Sequence, residues 1–127
     1  MREGPSTPDI IALRPFLPAK HFETSLRFYR DLGFTAHLLG DSLASMHLGS
    51  FAFLLQNFDA EGFASNFMMH LLVKDVEEWW RHIQSLDLAA HYDVQPPSAP
   101  ALQPWGLTVS YVFDPSGVLW HIAQEPG

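Results

Sequence analysis

No cysteine occurs among the 127 residues, so disulfides, thiolate metal sites and a thiol nucleophile are all excluded. Basic residues are also few. Seven Lys and Arg against fourteen Asp and Glu leave a net charge of −7. That balance argues against a nucleic-acid partner, because such binding is dominated by cationic contacts to phosphate. It suits ordinary solubility and tolerates a cationic ligand. No apolar run approaches a membrane span, and Met1 to Pro8 contain no apolar signal region. The expectation is a soluble, cytoplasmic protein with a loose tail over residues 1–8 and no membrane partner. Neither a G-x-S-x-G elbow nor a G-x-G-x-x-G phosphate loop is present.

Hydrophobic residues, in contrast, make up 47% of the chain, enough for one domain around one core. The most informative stretch begins at Pro104. Trp105-Gly106 leads into the alternating segment Leu107 to Phe113, then the turn Asp114-Pro115-Ser116-Gly117, then Val118 to Gln124. Two strand-like runs joined by Asp-Pro-x-Gly predict a β-hairpin. Proline presets one turn dihedral and glycine supplies a positive φ.

An internal repeat organises the rest. The segment from Glu23 to His37 aligns with that from Glu77 to His91 at an offset of 54, matching Leu32 with Leu86, Ala36 with Ala90 and His37 with His91. Phe22, Leu26 and Tyr29 form a helical stripe, as do Val76, Trp80 and Ile83 at the same offset. Asp75 with Glu78 is a capping-box start; His21 is a weaker one. Strands are expected over Ile10–Leu17, Phe34–Leu39, Leu43–Leu48 and Phe51–Asn57. In the second half they are expected over Asn66–Val73, Ala90–Val94, Leu107–Phe113 and Val118–Gln124. Phe58–Ser65 and the Pro-rich Gln95–Pro104 read as connections. The fold class is therefore α+β: tandem β-α-β-β-β modules forming a cup-shaped mixed sheet. The modules span about 9–58 and 66–125 of a single domain, 9–127. A single barrel with decorating helices fits a duplicated unit less well.

The duplication, with Ser25-x-x-Phe28-Tyr29-Arg30-Asp31-Leu32-Gly33-Phe34 in the first half and Trp105-Gly106 followed by Asp114-Pro-Ser-Gly-x-Leu-Trp120 in the second, resembles the vicinal oxygen chelate superfamily. That group includes glyoxalase I, extradiol dioxygenases and fosfomycin- and bleomycin-resistance proteins. The resemblance spans Pro15 to Gln124 and implies two modules that pair around a cavity, within one chain or across two. It also implies metal ligands, in catalytic members, on the first and last strands of each module. The repeat offset puts the first-strand places at Arg14 and Met68. Aligning Gly49 with Gly117 puts the last-strand places at Phe53 and His121. Arg cannot deprotonate to become a ligand, Phe has no donor atom, and a thioether suits soft ions. A Met68, His70 and His121 cluster is the remaining metal possibility, and the expectation is no metal and no cofactor.

The sheet faces that should line the cavity carry Phe16, Met46, Phe51, Phe53, Met68, Leu72, Tyr111 and Leu119, with Trp105 at the mouth. No carboxylate falls among them, so acid–base chemistry would rest on a histidine without an orienting partner, and catalysis is weakly supported. Taken singly, each of these side chains except Trp105 reads rather as core packing. Together they suit a flat, apolar ligand. The expected site is Arg14 as polar anchor with Phe16, Phe53, Met68, His70, Trp105, Tyr111 and His121. The resemblance to the metal-free bleomycin-resistance type implies a homodimer that sequesters a planar or aromatic-rich small molecule, such as an antibiotic. The rivals are a metal-dependent glyoxalase-like lyase or dioxygenase, and a protein with a collapsed pocket acting through its dimer surface.

Overall fold

The computed structural model describes residues 7–59, 62 and 64–127. Of the expected tail, residues 1–6 lie outside the described residues. Thr7 and Pro8 are exposed and without regular structure.

In chain order the elements are β1 (Phe16–Ala19), α1 (Phe22–Leu32), β2 (Thr35–Leu38), β3 (Leu43–Leu48) and β4 (Phe51–Asn57). A single 3-10 turn, Ala64–Asn66, leads to β5 (Met68–Leu72), α2 (Val76–Leu86), α3 (Leu88–Tyr92), β6 (Ala101–Leu102), β7 (Thr108–Phe113) and β8 (Leu119–Gln124). The strands form two four-stranded mixed sheets with the same plan, β1-β4-β3-β2 and β5-β8-β7-β6. In each, the first strand runs parallel to the last and the others pair antiparallel. This is the α+β architecture read from the sequence.

Three expectations about local structure fail. The run Ile10 to Pro15 is not part of β1, and Ile10, Ile11 and Leu13 are almost fully exposed. The parallel register sets Phe16 opposite Leu54, and β4 begins only three residues earlier, so an upstream extension soon runs out of partner. The expected strand Ala90–Val94 is instead α3. Asp87 ends α2 with φ +49°, a left-handed conformation that Asp tolerates. The chain then coils again because Leu88 and Tyr92, four apart, share a helical face. Leu88 is buried, and the Tyr92 ring meets Phe28 edge-on while its hydroxyl bonds Asp31. The sixth strand lies in the Pro-rich segment read as a connection.

The helices form as their stripes predict. Phe22, Leu26 and Tyr29 are buried on α1; on α2, Val76 and Ile83 are buried and Trp80 half-buried. Asp75 accepts from the backbone N–H groups of Glu77 and Glu78, both at 3.1 Å, while His21 makes no side-chain cap.

One core joins the two halves. Phe53 from β4 and Trp120 from β8 meet with ring centroids 5.7 Å apart, and Tyr29 and Phe34 pack against both. Within this cluster the Trp120 indole N–H donates to the Tyr29 hydroxyl at 3.0 Å, which donates to Asp114 Oδ2 at 2.6 Å. Asp114 Oδ1 accepts the N–H groups of Ser116 and Val118, and the Gly117 N–H closes the turn on the Asp114 carbonyl. Gly117 has φ +100°, which explains a glycine there. Each sheet therefore turns one face to the shared core and the other away from it.

Candidate functional site

Strand alternation decides which side chains reach the outward faces. On the second sheet, Met68, His70 and Leu72 of β5 lie beside Leu119, His121 and Ala123 of β8. Tyr111 of β7 sits opposite His121 on its other side. Trp105 stands in the loop before β7, where Gly106 at φ +99° bonds back to the Gln103 carbonyl and Gln103 bonds to that of Leu107. That turn holds the indole over the sheet, 57% exposed.

The rings converge on His121. Tyr111 meets it edge-on at 4.8 Å, His70 lies at 6.4 Å, and Trp105 lies at 6.5 Å with its plane tilted only 31° from the imidazole. Five of the eight expected site residues, Met68, His70, Trp105, Tyr111 and His121, thus share one outward surface. The other three are elsewhere. Phe16 lies on the outward face of the first sheet, half exposed. Arg14 belongs to the exposed run before β1. Phe53 packs into the shared core, 2% exposed, on the face of its sheet opposite to Phe16, where it walls the apolar hollow between the halves. Met46 is likewise buried, and Phe51 is exposed where β4 begins.

The alignment that paired Phe53 with His121 slips by one residue. His70 pairs with His121 in the second sheet, and 54 residues upstream of His70, Phe16 pairs with Leu54 in the first. The last-strand equivalent of His121 is therefore Leu54, an offset of 67 rather than 68. A one-residue shift in a strand exchanges its faces. The corrected metal places read Arg14, Leu54, Met68 and His121. Leucine also has no donor atom, so this set does not fit a divalent ion. Among the described residues no three His, Asp or Glu side chains are grouped to hold one.

Burial pushes His121 below its ordinary value of 6.5, and His70 beside it adds to the effect. A base whose folded value is depressed favours the fold when neutral. Its contribution is complete above 6.5 and is lost as pH falls below it. Thermal unfolding of the unliganded protein should therefore show stability declining as pH drops from 7 through the 6.5 region. His121→Gln should flatten that slope; an unchanged slope in the variant would remove His121 as its source.

Two hollows flank these faces. One of about 290 Å³ lies between the halves, walled by Phe34, Leu48, Phe51 and Phe53 on one side and by His70, Leu72 and Trp120 on the other. It is mainly apolar and touches the imidazole surface through His70. A second, about 580 Å³ and more polar, lies by Lys20, Asp59, Ser65 and Ser116. It is remote from the aromatic cluster in character, having Phe58 as its one ring among the described residues.

Apart from Phe16, sequence reasoning missed the outward face of the first sheet. The same alternation puts Phe16, Leu54, Ser45, His47 and His37 there. Counting β4 from buried Leu55 rather than from the glycine turn gives this face.

The paired β-α-β-β-β plan and the outward aromatic surface define a class, and comparison with known sequences agrees. Residues 11–122 match the Glyoxalase/Bleomycin resistance protein/Dioxygenase superfamily, and the chain belongs to it. Within it, the chain is 30% identical over 115 residues to a bleomycin resistance protein of Klebsiella pneumoniae, covering 87% of this chain and 90% of that one. The crystal structure of a bleomycin-binding protein complexed with bleomycin superposes with a TM-score of 0.78 at 26% identity, over 92% of this chain and all of the other. A bleomycin resistance determinant encoded on transposon Tn5 gives 0.77 at 25%, over 93% of this chain and all of the other. No helix among the described residues is long and apolar enough to cross a membrane.

Proposed function

We propose that this chain is a drug-binding resistance protein that sequesters a planar or aromatic-rich antibiotic of the bleomycin class without transforming it. The observation that carries this reading is the Trp105–His121 pair. Two rings whose planes lie 31° apart, with centroids 6.5 Å apart, give a planar ligand ring two aromatic faces to stack against. Tyr111 and His70 border the slot, and Met68 offers an adaptable apolar contact, 63% exposed. The relatives named for bleomycin binding and resistance support the same ligand class.

The working unit is a homodimer. The outward surface carries Phe16, Met68, Leu72 and Trp105, each about half exposed or more, an apolar surface that a monomer pays to keep wet. A second copy laid face to face would cover it and close the cup. Metal-dependent lyase or dioxygenase chemistry is the weaker alternative, because the four ligand places hold only one imidazole.

The test is calorimetric titration of the purified, chelator-treated protein with bleomycin, with light scattering on the same sample. Saturable binding, intact drug recovered afterwards and a dimer mass are expected. Absence of binding overturns the ligand class, chemically altered drug overturns sequestration, and a monomer at micromolar concentration overturns the dimer.

A further inference from the structure

We propose that His37 and His47 form a two-imidazole site for a divalent transition-metal ion on the outward face of the first sheet. The site is separate from the superfamily ligand places and independent of the drug-binding reading. The two residues lie on adjacent antiparallel strands, one step apart diagonally, since Thr35 is the partner of His47 and Ser45 that of His37. Their ring centroids are 4.9 Å apart, with planes at 81°. With metal–nitrogen bonds of about 2 Å, two imidazoles on one ion at right-angled to tetrahedral geometry place their ring centres about 4.5–5.5 Å apart. The observed separation falls inside that range before any side chain moves.

Ser45 supplies what a ligating histidine needs behind it. Its hydroxyl lies 2.6 Å from His47 Nε2 and is itself buried, 5% exposed. With Nε2–H donating to Ser45 Oγ, the ring is held in one orientation and Nδ1 presents its lone pair. This is the arrangement by which outer partners fix the tautomer of metal-bound histidines. In the single chain His37 is exposed and His47 half-buried, and β2 is the edge strand farthest from β1 and its exposed Phe16, so an ion reaches them at the sheet edge and keeps open positions for water or another donor. Two neutral nitrogens without a carboxylate or thiolate favour copper(II) most, with nickel(II) and zinc(II) weaker, and discriminate against magnesium and calcium. The molecule contains its own control. His70 and His121 are 6.4 Å apart, a span that only a near-linear bridge between two bonds of about 2 Å would reach, which four-coordinate ions do not use.

The experiment titrates the full chain with copper(II), nickel(II) and zinc(II) chlorides in a non-coordinating buffer, by calorimetry and, for copper, by its visible absorption and electron paramagnetic resonance. One ion per chain is expected, copper binding most tightly. His37→Gln and His47→Gln should each weaken binding by tenfold or more, and Ser45→Ala by about tenfold. His70→Gln and His121→Gln should leave it unchanged. Circular dichroism of each variant checks the fold, and His37, being exposed, provides a substitution that does not disturb packing. Equal copper affinity in wild type and the doubly substituted His37→Gln, His47→Gln chain overturns the proposal. So does loss of binding in the His121 variant instead.

Discussion

Asp114→Ala should cost the fold about 2–6 kcal/mol, which for a domain of this size lowers Tm by about 7–20 °C. The carboxylate is 2% exposed and accepts from the Tyr29 hydroxyl and from the N–H groups of Ser116 and Val118. Truncation leaves two of these donors, on Tyr29 and Val118, buried without an acceptor, at about 1–3 kcal/mol each. The loss is not local, because Tyr29 lies on α1 and Asp114 in the turn between β7 and β8, 85 residues later. Burial raises the Tyr29 hydroxyl well above its ordinary value, and the charge of Asp114 raises it further, so it stays a donor. Burial also raises the Asp114 carboxyl, while its hydrogen bonds pull the other way. A carboxyl raised in the fold stabilises most when protonated, and that contribution is lost as pH rises through its folded value. Urea unfolding followed by tryptophan emission is the measurement, since Trp120 belongs to the network. Tyr29→Phe should be destabilising too, and the double substitution should cost less than the two separately. Additive effects would show that the turn and the helix are not coupled through this bond.

That network explains how far the sequence could be read. Asp114-Pro-Ser-Gly117 was legible as a turn because Pro and Gly act locally. That its carboxylate also anchors Tyr29 depends on packing between the halves and leaves no local trace. β3 and β4 were legible to the residue, since the alternation of Leu43 to Leu48 and Phe51 to Asn57 ends at Gly49 and Ser50. Matching Gly49 to Gly117 failed for a physical reason. Only two residues separate β3 from β4, while five separate β7 from β8, so the two glycines close turns of different length. That difference moved Phe53 into the expected pocket and hid Leu54, Ser45 and His47 on the true outward face. α3 was hidden because the repeat aligned His91 with His37. The repeat holds through the helices and breaks after Asp87, where the second half adds a helical turn and reaches its outer strand only at Ala101. On the second sheet no such slip occurred, and Met68, His70, Tyr111 and His121 fall on one face.

Within that cluster Trp105→Ala should weaken bleomycin binding by tenfold or more while leaving the fold in place. The indole is 57% exposed and held by the Gln103–Leu107 turn rather than by the core, so its removal should change stability by no more than about 0.5 kcal/mol. Its contribution lies in the bound state. Aromatic stacking adds about 0.5–1.5 kcal/mol beyond the area covered, and with that area the total passes the 1.4 kcal/mol that equals tenfold in affinity. Trp105→Phe keeps a ring over His121 and should retain most of the binding, which separates stacking from loop shape. Trp79, Trp80 and Trp120 remain in both variants. They belong to or pack against the core, so the emission change on adding drug should fall sharply only when Trp105 is absent. If wild type and Trp105→Ala bind the drug equally well, the slot between Trp105 and His121 is not where it lies. The mainly apolar hollow beside His70 and Phe51 would then be the surface to test, with Phe51→Ala as the next substitution.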